Sequence, residues 1–232
     1  MARPDVPLLA VLVDADNSSP RWAEPIFDEI TSLGEASVRR IYGDFSRGQM
    51  AGWNEKMPSM ALVPHHQPAN TVGKNSSDIA LVIDAMDLLH SGRFDGFVLV
   101  SSDSDFTRLA SRIREQGLDV YGIGERKTPE AFRKACKRFI FIENLISQVE
   151  AKDPEKFDPP SKAIPLINNA MQAIDPDQEW FHLGTLGQTI SANHPDFDSR
   201  NYGSAKLSDL ITRAGRYETR RTGNVVEVRR KD

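Results

Sequence analysis

The segment from Phe94 to Phe106 constrains the fold of this 232-residue chain more than any other. It begins with a short apolar run rich in β-branched and aromatic residues, which is typical of a buried strand. It then changes to Ser-Ser-Asp-Ser-Asp, and apolar residues recur at helical spacing from Phe106 to Ile113. The five polar residues therefore lie where a strand ends and a helix begins. In an open parallel sheet, that edge is where ligands and catalytic groups collect.

Asp103 and Asp105, within this polar segment, allow two interpretations. In the first, Ser102 or Asp103 caps the helix and Asp105 lies in its first turn, where free N–H groups and the helix dipole favour negative charge. In the second, the carboxylates belong to a functional site at the sheet edge. Acidic residues elsewhere in the chain favour the second interpretation.

Apolar runs and helical patterns alternate along the first part of the chain. The run from Leu8 to Val13 predicts a strand that is buried on both faces, followed by a helix that Gly34 is expected to close in the C′ position. Further strands are predicted at Val38 to Tyr42, Ala61 to His65, Phe97 to Val100, Asp119 to Ile123 and Phe139 to Ile142. This order predicts an α/β fold with a mostly parallel sheet that is covered by helices on both faces.

The composition changes after Leu145, where a charged, proline-containing stretch predicts a linker over residues 147–162. The linker separates a first domain over residues 1–146 from a second over 163–232. The second domain contains three helical patterns and then an alternating pattern around Thr222-Gly223-Asn224, which predicts a hairpin. Three helices and a terminal hairpin predict a small winged-helix domain.

The bulk composition excludes several classes of protein. A single cysteine, Cys136, excludes a disulfide framework and a clustered-cysteine zinc site, and its apolar surroundings predict a buried thiol. No signal-peptide pattern and no apolar run of membrane-spanning length occur, so we expect a cytoplasmic protein with no membrane contact. The net charge of −4 argues against a protein that coats nucleic acid over its whole surface, although a local basic surface remains compatible with it.

Carboxylates occur at three places where predicted strands end or helices begin: Asp14, Asp78, and Asp103 with Asp105. If the first and central strands are neighbours, their carboxyl ends bring Asp14 and Asp103 together, and Asp78 can point over the same edge. Carboxylates without matching Lys or Arg cannot all stay ionised unless a cation lies among them. Oxygen ligands select Mg²⁺ or Mn²⁺, which can activate water for the hydrolysis of a phosphodiester.

Four further polar residues lie near these motifs. The position of Asp16 is left open, because the predicted strand ends before this residue. The helical angle places Asp84 away from Asp78, so Asp84 and Asp87 are predicted to face solvent. Asn17 allows two interpretations: a supporting contact to water or phosphate, or an Asx turn ahead of a proline.

These motifs, in order, resemble those of the NYN-domain family of PIN-like ribonucleases over roughly residues 6 to 145. The resemblance is carried by Val-Asp14-Ala-Asp-Asn17, Lys74-Asn-Ser-Ser-Asp78, Ser-Asp103-Ser-Asp105-Phe106 and the segment from Gly122 to Phe132. It implies a Rossmann-like three-layer α/β/α fold and metal-dependent cleavage of RNA. It also implies catalytic roles for Asp14, Asn17, Asp78, Asp103 and Asp105, with the four aspartates as ligands of Mg²⁺ or Mn²⁺.

The C-terminal segment is similar to the OST-HTH (LOTUS) domain, a winged-helix module linked to RNA and protein binding. The similarity is carried by Leu183 to Gln188 and Pro195 to Leu210. Residues 213–232 hold seven Lys or Arg and three Asp or Glu. This excess of positive charge fits phosphate contacts, or else a solvated hairpin whose charges prevent sheet pairing. The predicted nucleic-acid contacts are Arg47, Lys74, Lys206, Arg213, Arg220 and Arg221.

The leading hypothesis is a metal-dependent ribonuclease, an endonuclease, whose C-terminal domain binds RNA or a protein partner. The alternative is a non-catalytic RNA-binding adaptor whose acidic pocket has lost turnover. A phosphatase of the haloacid-dehalogenase type, suggested by Asp14-Ala-Asp16, ranks below both because it leaves Asp78 unexplained. A dinucleotide site is excluded because no Gly-x-Gly-x-x-Gly motif follows the first strand. The sequence specifies neither the RNA nor the oligomeric state.

Overall fold

The computed structural model describes residues 6–46, 48–67, 76–145, 157–223 and 225–231. The chain divides into two compact units, Met1–Gln148 and Val149–Asp232. The strands of the first unit are β1 (Leu8–Asp14), β2 (Glu35–Gly43), β3 (Val63–His66), β4 (Gly96–Val100), β5 (Asp119–Gly124) and β6 (Arg138–Phe141). Its helices are α1 (Ala23–Thr31), α2 (Ala51–Ser59), α3 (Ser76–His90), α4 (Thr107–Glu115) and α5 (Glu130–Ala135).

The six strands form one parallel sheet in the order β3-β2-β1-β4-β5-β6. β1 lies between β2 and β4, and its residues from Leu9 to Asp14 are buried, as its continuous apolar run predicts. Apolar side chains of α1 and α2 pack on one face of the sheet, and those of α3, α4 and α5 pack on the other. The predicted three-layer α/β fold is confirmed.

The strand order places a binding edge between β1 and β4. The chain adds β2 and β3 on one side of β1, and it then returns to add β4, β5 and β6 on the other side. Such a reversal makes a topological switch point, and the crevice of an open α/β sheet lies outside the strand ends at that point. Val13 is paired with Val100, so Asp14 and Ser101 follow side by side at this edge.

Two glycines that follow helices have different backbone roles. Gly117 closes α4 with a φ of +82°, a left-handed conformation that glycine adopts without strain. Gly34 is not the predicted left-handed C′ residue, because α1 ends at Thr31 and the φ of Gly34 is not positive. A Cβ at Gly34 would lie 2.5 Å from the carbonyl oxygen of Pro7, so this glycine permits the close approach of two backbone segments.

The second unit contains three helices and a small antiparallel sheet. The helices are α6 (Ile164–Ile174), α7 (Leu183–Asn193) and α8 (Leu207–Ala214), and the strands are β7 (Phe181–His182), β8 (Tyr217–Thr222) and β9 (Val225–Arg230). The sheet has the order β7-β9-β8. The predicted helices and hairpin are present. The two-residue strand β7 was not predicted, because it is too short to show a periodic pattern.

The described residues from Phe157 onward pack with this second unit. The N–H of Asp158 donates to the carbonyl oxygen of Asn201 at 2.9 Å, and Ala163 is buried in the helical core. The C-terminal end of the stretch predicted as a linker over 147–162 therefore has ordered contacts within the second unit.

The cysteine behaves as its apolar surroundings predict. Cys136 is buried, and burial raises the pKa of its thiol to about 12. The thiol therefore stays protonated and unreactive near neutral pH. In the part of the chain that the structure describes, no helix is long and apolar enough to cross a membrane.

Candidate active site

Asp14, the last residue of β1, organises the edge between β1 and β4. It is 1% exposed, and both of its carboxylate oxygens accept hydrogen bonds. Oδ1 accepts from the backbone N–H groups of Asp16 and Asn17 at 3.1 and 3.2 Å. Oδ2 accepts from the hydroxyl of Ser101 at 2.7 Å and from the side-chain amide of Asn17 at 2.9 Å. Burial raises the pKa of Asp14, and these hydrogen bonds limit the rise.

The side chain of Asn17 takes a supporting polar role at this edge. Its amide donates to Asp14, and the residue also lines a cleft at the strand ends. The Asx-type turn of this loop is made by Asp14, whose side chain accepts from the N–H two residues further on. Asn17 therefore holds the buried carboxylate while remaining within reach of the cleft.

Asp103 both caps a helical turn and lines the cleft at the sheet edge, the two roles that its sequence position allowed. It caps a 3-10 turn, Ser104–Phe106, and its Oδ1 accepts from the N–H of Asp105 at 2.9 Å. α4 continues directly from this turn, so the N-cap interpretation is confirmed. The half-buried carboxylate of Asp103 also lines the cleft, and its Oδ2 accepts no hydrogen bond from the residues described. Asp105 is exposed beside it.

Asp78, in the first turn of α3, shows that the predicted carboxylates converge. Its pKa is raised to about 6, first by burial and then by the negative charges of Asp14, Asp103, Asp16 and Asp105, in that order. Burial by itself raises the pKa of a carboxyl group, whereas the part of the rise that comes from each negative charge requires that carboxylate to lie near Asp78. The structure therefore brings the four predicted aspartates into one electrostatic cluster, and Asp16 joins them.

Asp16 is a residue of this edge that the sequence pattern left open. Its Oδ2 accepts from the hydroxyl of Ser77 at 2.8 Å, which connects the loop after β1 to the first turn of α3. The pattern could not place it, because β1 ends at Asp14 and the chain then turns, so the two-residue period no longer applies. The hydroxyls that immediately precede Asp78 in the sequence were the available signal for this contact.

A polar cleft of about 520 Å³ opens at the ends of β1, β4 and β5. Its lining residues are Asp16, Asn17, Ser18, Ser19, Ser102, Asp103, Ser104, Glu125, Lys127 and Pro129. Lys127 is the one cation among them, and its Nζ lies 2.8 Å from Glu125 Oε2. The Ser102 hydroxyl accepts from the N–H of Glu125 at 2.9 Å, which fixes the loop after β5 against β4.

The carboxylate oxygens at this edge are the kind of ligand that a hard divalent cation prefers, but they are not placed to bind one directly. Within the described residues, Asp14, Asp16, Asp78 and Asp103 form no ion pair with Lys or Arg, so no described cation neutralises their negative charge. The same residues contain no group of three or more His, Cys, Asp or Glu placed to ligate a metal directly. Mg²⁺ keeps several of its waters in proteins, so this arrangement is compatible with a cation held partly through water.

Asp84 does not face solvent as predicted. Its carboxylate forms an ion pair with Arg40 and accepts a hydrogen bond from the hydroxyl of Tyr42, and His65 Nδ1 lies 3.9 Å away. The angle around the helix places Asp84 away from the side of Asp78, but this angle carries no information about which strand lies beside the helix. This cluster fixes α3 over β2. Asp87, one turn later, is exposed as predicted.

The residues predicted to contact nucleic acid differ in their exposure and in their contacts. Arg47 and Lys74 lie outside the described residues. In the second unit, Lys206 and Arg221 are exposed, whereas Arg220 forms an ion pair within the hairpin.

Arg213, also predicted to contact nucleic acid, has a structural role. Its Nη1 donates to the carbonyl oxygens of Tyr202 and Gly203 at 3.0 and 2.5 Å and to the Ser204 hydroxyl at 2.8 Å. The guanidinium thus closes the turn that precedes α8.

Asp78 is expected to make the stability of the first unit depend on pH. Its pKa is about 6 when folded and 3.8 ordinarily, so the folded state binds more protons between these values. The free energy of unfolding should therefore fall as pH rises from about 4 to about 6. We expect Asp78→Asn to remove part of this fall, measured as the melting temperature against pH in metal-free buffer.

The melting temperature, measured again with a divalent cation added, tests whether the carboxylates bind that cation. At pH 7, millimolar Mg²⁺ or Mn²⁺ should raise the melting temperature of the wild type and raise that of Asp78→Asn less, because a ligand of the folded state stabilises it. In metal-free buffer, identical curves of melting temperature against pH for the wild type and Asp78→Asn would contradict the assigned carboxylate cluster.

Comparison with known protein families agrees with this fold and this division into domains. The NYN domain model matches residues 8–143, and the OST-HTH/LOTUS domain model matches residues 154–228. The chain therefore belongs to the NYN domain family, and an OST-HTH/LOTUS domain follows its NYN domain. NYN domains are generally RNA-related nucleases, and OST-HTH domains bind RNA.

Solved structures support the fold alone. The chain is similar to a protein of unknown function from Vibrio parahaemolyticus, with 20% sequence identity and a TM-score of 0.52. The similarity covers 61% of this chain and 96% of that chain. The comparison with curated proteins gave no match.

Proposed function

We propose that this chain is a metal-dependent ribonuclease that hydrolyses RNA phosphodiester bonds at the carboxyl ends of β1 and β4. The observation that carries the proposal is the gathering of carboxylates at the switch point of an NYN domain, where Asp14 is bonded to Ser101 and Asp16 to Ser77. The pKa of Asp78, raised by burial and by the charges of these neighbours, agrees with it. Such a cluster is costly to fold and has no neutralising Lys or Arg among the described partners of Asp14, Asp16 and Asp103. A site that binds a cation accounts for that cost.

The residues that would hold the cation are Asp78 and Asp103, together with Asp14 and Asp105, and Asp16 is added to them by its contact with Ser77. Oxygen ligands of this kind select Mg²⁺ or Mn²⁺. When bound, such an ion lowers the pKa of a water and offsets the charge that develops on a phosphate.

The protein's own groups position the substrate in the cleft. Asp103 is held by the N–H of Asp105, so its carboxylate keeps one orientation. Lys127 supplies a positive charge for a phosphate, and it can exchange its exposed partner Glu125 at little cost. The hydroxyl of Ser104 and the amide of Asn17 lie in the same lining and can donate to phosphate or ribose oxygens.

A cleavage assay tests this function. The whole chain is incubated with end-labelled single-stranded RNA and with circular RNA, in Mg²⁺, Mn²⁺ or EDTA. We expect cleavage with at least one of the two metals and none in EDTA. Because a circular RNA has no ends, its linearisation would establish the endonuclease that we propose.

The second candidate function is a non-catalytic RNA-binding adaptor. The observation that favours it is Asp14, whose two oxygens are both occupied by hydrogen bonds, together with the lack of a direct metal-ligand group among the residues described. In this case the chain would bind RNA in the same assay and leave it uncut with every metal.

A further inference from the structure

We infer that the second unit holds RNA through four cations in and beside its hairpin, Arg216, Arg221, Arg230 and Lys231, which have no carboxylate partner among the described residues. The neighbouring cations Arg220 and Arg229 are instead held by contacts within the domain. This inference rests on the proposed RNA binding by the OST-HTH domain and specifies which of its cations make the contact.

The hairpin separates adjacent arginines onto opposite faces. In β8 and β9, Tyr217 is paired with Arg230 and Arg221 is paired with Val226. Directly paired residues share a face, and residues two positions apart along a strand also share it. Arg221 and Arg230 therefore lie on the face that carries the buried Tyr217. Consistent with this placement, the charge of Arg230 acts on the Tyr217 hydroxyl.

Arg220 and Arg229 lie on the other face, where both are engaged. Arg220 Nε donates to Glu227 at 2.6 Å, and its guanidinium lies 4.0 Å from the centre of the Trp180 ring. Arg229 Nε donates to Glu218 at 2.9 Å, and its guanidinium lies 4.8 Å from the same ring. These contacts fix the edge of β7 against the hairpin.

The cluster around Trp180 carries no excess of positive charge. Arg229 also forms an ion pair with Glu179, so two arginines there meet three glutamates. An RNA phosphate would have to displace an existing carboxylate and the stacking on Trp180. This cluster is therefore a poor phosphate site despite its two arginines.

The other four cations are exposed and form no ion pair among the residues that the structure describes. Arg216 and Lys231 meet at the open end of the hairpin, where the N–H of Lys231 donates to the carbonyl oxygen of Arg216 at 3.0 Å. Arg221 lies near the turn, about 14 Å along the strand from Arg230. A phosphate contact at any of these cations breaks no ion pair with a described residue, so the release of counterions favours binding.

Two pairs of adjacent arginines provide the test. Binding of the full chain to fluorescently labelled single-stranded RNA is measured by anisotropy in EDTA, which prevents cleavage, over a range of salt concentrations. We expect Arg221→Gln and Arg230→Gln each to weaken binding about tenfold. Each should also reduce the slope of log K against log salt by about 0.7. The controls Arg220→Gln and Arg229→Gln should change binding by less than about twofold, because their guanidinium groups are engaged by carboxylates and by the Trp180 ring.

The outcomes are distinguishable once thermal unfolding has shown that all four variants are folded. If Arg220→Gln or Arg229→Gln weakens binding as much as its neighbour does, the inference is overturned. If the wild type binds and cleaves RNA while no variant changes the affinity, the inference also fails, and the proposed nuclease stands. If the wild type neither binds nor cleaves RNA, the proposed function fails with it.

Discussion

Replacement of Asp103 by Asn is expected to lower the rate of RNA cleavage at least about a hundredfold, with little change in stability. Asn caps helices as well as Asp does, so the hydrogen bond from the N–H of Asp105 persists in Asp103→Asn. The substitution removes the negative charge from the cleft while preserving shape. Initial cleavage rates at saturating RNA and the melting temperature together measure this separation of function from folding.

Asp87→Asn is the matched control for Asp103→Asn. Asp87 is exposed on α3, and the substitution makes the same change of charge away from the cleft. We expect wild-type cleavage by this variant. Cleavage by Asp103→Asn at the wild-type rate would show that Asp103 serves only as a helix cap.

Replacement of Asp14 by Ala is expected to destabilise the first unit by about 3 kcal/mol. Two effects oppose each other here. Removing a buried carboxylate with a raised pKa relieves a desolvation cost. It also leaves four donors without their acceptor: the Ser101 hydroxyl, the Asn17 amide and two backbone N–H groups. The second effect is larger, because the buried Ser101 hydroxyl costs about 1 to 3 kcal/mol when it is left unsatisfied, and the part-buried donors of the loop add to that cost.

Thermal and urea unfolding measure the effect of Asp14→Ala. In a chain of this size, about 3 kcal/mol corresponds to a melting temperature lower by about 6 to 12 °C. Asp28→Ala, at an exposed position of α1, is the control and should change the free energy of unfolding by less than about 0.5 kcal/mol. A loss below about 1 kcal/mol for Asp14→Ala would mean that the hydrogen bonds only balance the desolvation cost.

Much of the fold was predictable because apolar patterns report burial directly. The run from Leu8 to Val13 is buried on both faces, and such a strand belongs in the middle of a parallel sheet. The positions of Asp14 and Asp103 follow from this, since Asp14 ends one central strand and Asp103 follows the neighbouring one within three residues. The order of residues alone therefore predicts that these carboxylates lie close together.

The remaining parts of the site depend on contacts between elements, which a pattern within one element does not contain. Asp84 is held by Arg40 and Tyr42, and only the placement of α3 over β2 brings those groups together. Asp16 meets Ser77 because the chain turns after β1. In the hairpin, charge counting treated Arg220 and Arg221 alike, although strand alternation places them in different environments.

The hydrogen bond between Asp14 and Ser101 joins residues that are 87 positions apart in the chain. Since domains fold from the N-terminus as they are synthesised, a nascent chain carries Asp14, Asp16 and Asp78 well before β4 emerges to complete their surroundings. No partial product that ends before Ser101 contains the assembled edge. The proposed ribonuclease would therefore be unable to act on the messenger RNA from which it is being translated until most of its first domain has left the ribosome.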